Sequence, residues 1–433
     1  MGFKILFESL DAPGIVDTLE AATWGRTEIR FGDRVVSELV EKDNRIRQGV
    51  YGNILQLAEW IVESWPRLFY ERIKVQRETD EWYDWRGYHS ARTGMRGQAF
   101  PDITISAAGG DIYEVSAMAD SGFLAPGIRV SFQRTDKIFV RTEELREALA
   151  EVVRTAFDRL GKLSSPRIQN LKTRWEKVSA NKDFEILGRL RASDYDALTP
   201  EDKEAISVVK KRKDSDLVFS LAETLAVASI RERLSEAMKI AEGLPKGSPK
   251  TEKWSVFHHG EWTRYGRPWR TGHEAASVFR KRFKLSDDYV PRAELSDLFE
   301  LALGWKKSAQ VCAMPETGSG LDTIQVRRLE EMPLVWTRHR TDESRRFRTA
   351  KAVYYFMFSR PNVGCAMIDT HSLPESSEAN AFAAELLAPV AALKASGKSL
   401  DSWDNDAVAE QAKKLAVETT LVYHQVHNYL DTE

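Results

Sequence analysis

The chain has 433 residues, 42% of them hydrophobic and 30% charged, which is enough for two or three domains with ample core. A formal net charge of −2 at pH 7 supplies no global field to recruit nucleic acid or an anionic membrane. Two cysteines, Cys312 and Cys365, exclude a disulfide framework and make the cytoplasm the expected compartment.

The predicted elements describe an α+β protein in three segments. Residues 1–162 form an N-terminal α+β domain. Residues 27–31 and 33–37 alternate apolar and polar side chains around Gly32 and Asp33, a hairpin pattern. Residues 51–70 place Leu55, Leu57, Ile61 and Trp65 among the apolar positions of a helix. Residues 101–106 and 111–116 flank Gly109 and Gly110 as a second hairpin. Strands over 128–132 and 137–140 extend the sheet, and Thr142–Leu160 reads as a long amphipathic helix. Residues 163–250 are a helical middle segment. Ser165 with Pro166, and Thr199 with Pro200, open helices there. The Gly-, Pro- and Lys-rich stretch 243–253 is a linker. Residues 251–433 are mostly helical with a small sheet. Helices are predicted over 271–283, 294–303 and 405–429, and strands over 308–312, 320–325 and 334–337. The opening residues MGFKILFESLDAPG lack the apolar run of a signal peptide, and no window offers the ~20 apolar residues of a membrane span.

Several residue groups are candidates for chemistry. Asp102 after Pro101, followed by Glu114 and Ser116, resembles the PD-(D/E)xK nuclease spacing, with serine where that site has its lysine. Two such acids would hold magnesium on neighbouring strands. The bland reading is that they mark the rim of a hairpin. Residues 81–96, EWYDWRGYHSARTGMR, offer Trp82, Trp85, Arg86, Tyr88, His89 and Arg92, which could stack bases or cover a sheet edge. His258 and His259 are adjacent and point apart, which makes them poor joint ligands, and His273 is the one nearby third histidine. The run VVKKRK over 208–213 reads as a solvated helix face or a phosphate contact. The densest basic stretch holds Arg327, Arg328, Arg338, Arg340, Arg345 and Arg348.

The string ESSEANAFAAELLAP over 375–389 resembles the characteristic helix of the ImmA/IrrE metallo-endopeptidases, E-A-N-x-F-A-A-x-L-L-x-P. In that family it follows a helix close to R-F-x-x-A-H-E-x-G-H. Here the upstream helix reads RFRTAKAVYYFMF, so Arg346, Phe347 and Ala350 keep the register. Lys351 stands at the first histidine, Ala352 at the glutamate and Tyr355 at the second histidine. The resemblance makes Glu378 the third zinc ligand, with Glu375 one turn earlier as the fallback.

A zinc site needs two imidazoles at i and i+4, a third ligand, and a base for the bound water. A protonated lysine cannot ligate zinc, a phenol ligates poorly near neutral pH, and alanine is no base. The resemblance therefore implies a zincin-like fold that has lost its catalytic residues, with no metal and no cofactor. Lys351 is expected to pair with Glu378 or Glu375, and Tyr355 to fill the second-histidine space. The implied function is a non-catalytic protein-binding regulator, in bacterial stress response or phage defence. Arg338, Arg340, Arg345 and Arg348 would form a basic binding rim. The partner is expected to be a protein, with nucleic acid as a second class and no membrane. The alternatives are an active metal-dependent hydrolase, including a nuclease through Asp102 and Glu114, and a nucleic-acid-binding module.

Overall fold

The computed structural model describes residues 2–12, 14–41, 44–71, 80–95, 98–109, 111–125, 128–132, 134–180, 183–192, 197–225, 229–243, 268–285, 311–313, 323–326, 334–337, 341–358, 366–369, 375–395 and 403–427. Among them the chain is mixed α and β, with sheets toward the N-terminus and a mostly helical C-terminal region. It divides into two compact units, Met1–Thr199 and Pro200–Glu433. The helical middle segment is thereby shared between the two, at the proline that opens the helix after Thr199.

In unit 1, β1 (Phe3–Ser9) runs antiparallel to β2 (Trp24–Phe31), with Phe3 opposite Phe31. β2 also pairs with β3 (Arg34–Val35) across a turn in which Gly32 takes a φ of +63°, a conformation glycine adopts without steric cost. Its third partner is β6 (Val50–Asn53). A second sheet has the order β5 (Ile46–Arg47), β4 (Leu39–Glu41), β10 (Ile128–Phe132), β9 (Asp120–Ala125). A third has the order β11 (Asp136–Arg141), β8 (Ile112–Met118), β7 (Asp102–Gly109). Alternation in β7 and β8 sends Ile103, Ile105, Val115 and Ala117 into the core. Asp102, Ser106, Glu114 and Ser116 share the opposite face.

Helix Ile54–Tyr70 is the centre of unit 1. It starts at Asn53, whose Oδ1 accepts from the Leu55 N–H at 2.9 Å and from Thr23 Oγ1 at 2.6 Å. Residues 51–53, expected inside the helix, lie in β6, because the Asn53 cap ends the helix there and leaves them to pair with β2. Tyr113 Oη donates to the Phe69 carbonyl at 2.8 Å and ties the helix to β8. Helix Thr142–Leu160 packs Leu145, Leu149, Val152 and Val153 inward, and Arg146 donates to Tyr70 Oη at 3.0 Å. Helix Pro166–Ala180 brings Trp175 edge-on to Trp65, with ring centroids 5.0 Å apart. In helix Asp183–Arg189, Gly188 lies so close that a Cβ there would fall 2.1 Å from the Pro66 carbonyl oxygen.

In unit 2, helices Pro200–Lys210, Ser215–Thr224 and Ile230–Gly243 pack on one another. Within the basic run, Arg212 pairs with Asp214 and Glu242, each at 2.8 Å, so its charge is met inside the unit. Residues 244–253 of the expected linker lie outside the described residues, as does the expected helix over 294–303. Helices Pro268–Arg282, Asp342–Phe358 and Glu375–Leu387 enclose a core that includes Ala275, Phe279, Val353, Phe358, Phe382 and Leu386. A four-stranded sheet has the order β12 (Val311–Ala313), β14 (Leu334–Thr337), β13 (Thr323–Val326), β15 (Ala366–Asp369), with β12 parallel to β14.

The single helix expected over 405–429 is two, Asn405–Leu415 and Thr419–Gln425. Ala416 turns left-handed between them, at φ +52°. Arg346 holds the carbonyls freed by that break, donating to Leu415 O at 3.3 Å and to Ala416 O. No helix among the described residues is long and apolar enough to cross a membrane.

Candidate functional site

Helix Asp342–Phe358 presents Lys351, Tyr354 and Tyr355 at spacings of three and four, one stripe of its surface. Ala350, Ala352 and Val353 complete a stretch in which every residue from 348 to 355 is buried. Facing it, helix Glu375–Leu387 carries Glu378, which is 2% exposed. Helix Pro268–Arg282 closes the third side. Its Gly272 leaves room for the backbone of the Glu378 helix, since a Cβ there would fall 2.2 Å from the Glu378 carbonyl oxygen. Arg280 donates to Leu386 O at 3.2 Å and joins the same two helices.

The Tyr354 phenol donates to Glu378 Oε2. Its ring stacks on Phe358, with centroids 5.6 Å apart, and lies 5.4 Å from Phe382. Phe382 in turn meets Phe279 edge-on at 5.7 Å. The carboxylate is thus bonded by a phenol inside an aromatic wall. Lys351 is 1% exposed, and its ammonium lies 5.9 Å from the centre of the Phe347 ring. Tyr355 is 3% exposed, with its ring 5.9 Å from that of Tyr354. Lys351, Ala352, Tyr355 and Glu378 therefore all lie in the interior of one helix pair. The bond described at Glu378 Oε2 comes from Tyr354, which the sequence reading passed over. Glu375 opens its helix, and its side chain lies outside the described residues.

The chemistry of this donor set is that of packing. An ammonium, a methyl group and two phenols stand beside the Glu378 carboxylate in a buried stretch of helix. Among the described residues, no group of three His, Cys, Asp or Glu converges to hold a metal ion. His273 lies on the third helix with Nδ1 3.4 Å from Glu385 Oε2. Burial pushes this histidine down to about 4, so the neutral ring is the resident form at pH 7. Glu385 also accepts from Gln425 Nε2 at 3.2 Å and from the Val390 N–H at 3.3 Å.

The expected basic rim is revised. Arg345 is half exposed and pairs with Asp342 on its own helix. Arg348 is 6% exposed and belongs to the inner side of that helix, where it cannot serve an open rim. Arg338 and Arg340 lie outside the described residues, as do Arg327, Arg328, His258, His259 and Cys365.

The nuclease spacing does not assemble in unit 1. Asp102 lies opposite Met118, and Glu114 lies opposite Ser106. The two acids share a face, but four residues along the ladder separate them by about 13 Å. That is too far for one cation, whose oxygen ligands lie about 2–2.6 Å from it. Asp102 is also engaged, by Arg86 at 2.5 Å and Ser90 Oγ at 2.7 Å.

Of the aromatic string over 81–95, His89 turns into the interior, Trp82, Trp85 and Tyr88 are half-buried and Tyr83 is exposed. His89 is fully buried between Ile105 O, 2.8 Å from Nδ1, and Glu71 Oε2, 3.4 Å from Nε2. Trp85 stacks on His89 at 4.4 Å, and the Arg67 guanidinium lies 4.1 Å from the Tyr88 ring centre. Arg67 bonds Glu71 at 2.7 Å and Asp84 at 2.8 Å. Sequence reasoning missed this network, because Arg67 lies in the last turn of an apolar helix and Glu71 caps its end, at an unremarked i, i+4 spacing. Comparison with protein-family models, curated proteins and solved structures returned no match.

Proposed function

We propose that the chain is a non-catalytic, cytoplasmic, protein-binding regulator whose C-terminal third uses an ImmA/IrrE-like peptidase framework without its zinc. The observation that carries this reading is Glu378, a buried carboxylate bonded by a phenol and walled by aromatic rings. It occupies the position that the motif assigns to a zinc ligand. Arg346 and Ala350, which hold the motif register, are buried on the same helix, and Phe382 and Leu386 of the second motif line the shared core. With a lysine and a phenol at the histidine positions and a methyl group at the base, no group remains to bind zinc or activate its water. A framework that keeps its packing and loses its cut is suited to holding a protein rather than cleaving it, in a bacterial stress response or in phage defence. Fold-level analogy is the warrant for that last step. The cytoplasmic setting rests on the two cysteines without disulfide spacing.

Zinc binding by a repaired site is the test. The double variant Lys351→His, Tyr355→His restores two imidazoles at i and i+4 opposite Glu378. It is expected to take up about one zinc per chain and to lose it when Glu378→Gln is added, as read by elemental analysis. The unaltered chain is expected to hold none. No uptake by the folded double variant would overturn the peptidase framework. Stoichiometric zinc in the unaltered chain, lost with Glu378→Gln, would overturn the non-catalytic reading.

A further inference from the structure

We propose that a cleft in unit 1 binds an organic cation carrying N–H donors, an alkylammonium or alkylguanidinium group, with its charge on Glu63 and its stem along Tyr83. The cleft has a volume of about 530 Å³, within the range of small-molecule sites. One wall is the face of helix Ile54–Tyr70 that carries Glu59, Trp60, Glu63 and Ser64. The other is helix Asp80–His89 with Tyr83, Asp84 and Tyr88, continued by Thr93 and Gly94.

The charges of the walls select the ligand. Three carboxylates line the cleft, and the chain's own arginines already engage two of them. Arg167 holds Glu59 through two bonds at 2.5 and 2.7 Å, and Arg67 holds Asp84 at 2.8 Å while lying over Tyr88. Glu63 is the third, one helical turn after Glu59, and it makes no ion pair or hydrogen bond among the described residues. Ser64 beside it is 1% exposed, and its hydroxyl has no hydrogen-bond partner there either. A buried hydroxyl left without a partner is costly, and it can accept from an incoming N–H. Tyr83 is 62% exposed on the facing helix, and Gly87 leaves open space where a side chain would stand.

An anion would meet three carboxylates. A hard metal ion needs six or more oxygens, and one free carboxylate with one hydroxyl does not provide them. An organic cation satisfies Glu63 by a charge-assisted bond, Ser64 by a second N–H, and the Tyr83 ring by contact with its stem. The same carboxylate-and-aromatic arrangement already receives Arg67 at Asp84 and Tyr88. The inference concerns unit 1 alone and stands or falls apart from the reading of Glu378.

Calorimetric titration of the full chain at low salt decides it, with agmatine, spermidine and a blocked peptide bearing one lysine or arginine as probes. At least one probe is expected to bind at a single site. Glu63→Gln should weaken that binding roughly tenfold or more, and Ser64→Ala several-fold, the size of a lost charge-assisted bond and a lost neutral one. Glu63 is exposed, so its variant is expected to melt like the parent without ligand. Binding of agmatine or spermidine but not the peptide assigns a free small cation, and the reverse assigns a partner's side chain. Either outcome supports the site. Tetramethylammonium has no N–H donors and should bind much more weakly. No binding by any probe at millimolar concentration overturns the proposal. So does equal binding by Glu63→Gln or by tetramethylammonium.

Discussion

At the scale of single residues, the hydroxyl of Tyr354 is the sharpest feature of unit 2. A carboxylate as buried as Glu378 needs donors, because burial without them costs several kcal/mol. Tyr354→Phe keeps the ring against Phe358 and Phe382 and removes only the donor. It is expected to cost about 1–3 kcal/mol, read as a lower urea midpoint at unchanged slope. A change within about 0.5 kcal/mol would show that the bond does not hold the niche together. The motif strings put Lys351, Ala352 and Tyr355 on one helix and Glu378 on another, and both helices form. The strings could not choose between two adjacent tyrosines, which point about 100° apart around a helix. The facing helix makes that choice, and its rotation is a property of packing. Arg348 was misplaced for the same reason, because a basic string says nothing about which of its members a helix turns inward.

At the scale of elements, the Arg67–Glu71–His89 network knits helix Ile54–Tyr70 to helix Asp80–His89 and, through Ile105 O, to β7. Burial raises the Glu71 carboxyl. The hydrogen bond with His89 and the fields of His89 and Arg67 outweigh it and hold the carboxyl at about 2. The folded value lies below the ordinary 4.5, so the unfolded chain takes up the proton first as pH falls. The stabilisation is complete above about 4.5 and disappears as pH falls toward 2, with a full size of roughly 3 kcal/mol. Urea titrations should therefore show the parent losing more stability than Glu71→Gln across that window, the two curves converging at the acid end. Parallel curves would remove Glu71 from the account. The elements themselves were largely legible where glycine punctuates a hairpin, at Gly32 and Gly109, or where apolar periodicity is long, as in Thr142–Leu160. The break at Ala416 was not. Its residue carries no turn signal, and the Arg346 side chain that holds the open carbonyls comes from a helix some seventy residues earlier.

At the scale of the whole molecule, the boundary between the units is where local pattern and packing part company. The sequence places a boundary near residue 162, where strands give way to helices, but the compact unit runs on to Thr199. The helices after 162 complete its core. Trp175 meets Trp65, Gly188 lies against Pro66, and Arg191 reaches Glu71 at 3.9 Å. Ile168, Leu171, Val178, Phe184, Leu187 and Leu190 are all buried. At about 1.5–3 kcal/mol for each side chain, they contribute on the order of 10 kcal/mol before ordering costs. That equals the net stability of a typical domain, about 5–15 kcal/mol. A fragment of residues 1–199 is therefore expected to unfold cooperatively in urea, with the same dependence on Glu71 as the full chain. A fragment of residues 1–162 exposes the faces of Trp65 and Pro66 and should lack a cooperative transition. Circular dichroism with tryptophan fluorescence distinguishes them, since Trp65 would be quenched and shifted in the shorter piece. A cooperative 1–162 would mean that the change in local pattern, rather than the burial across it, marks the edge of the folding unit.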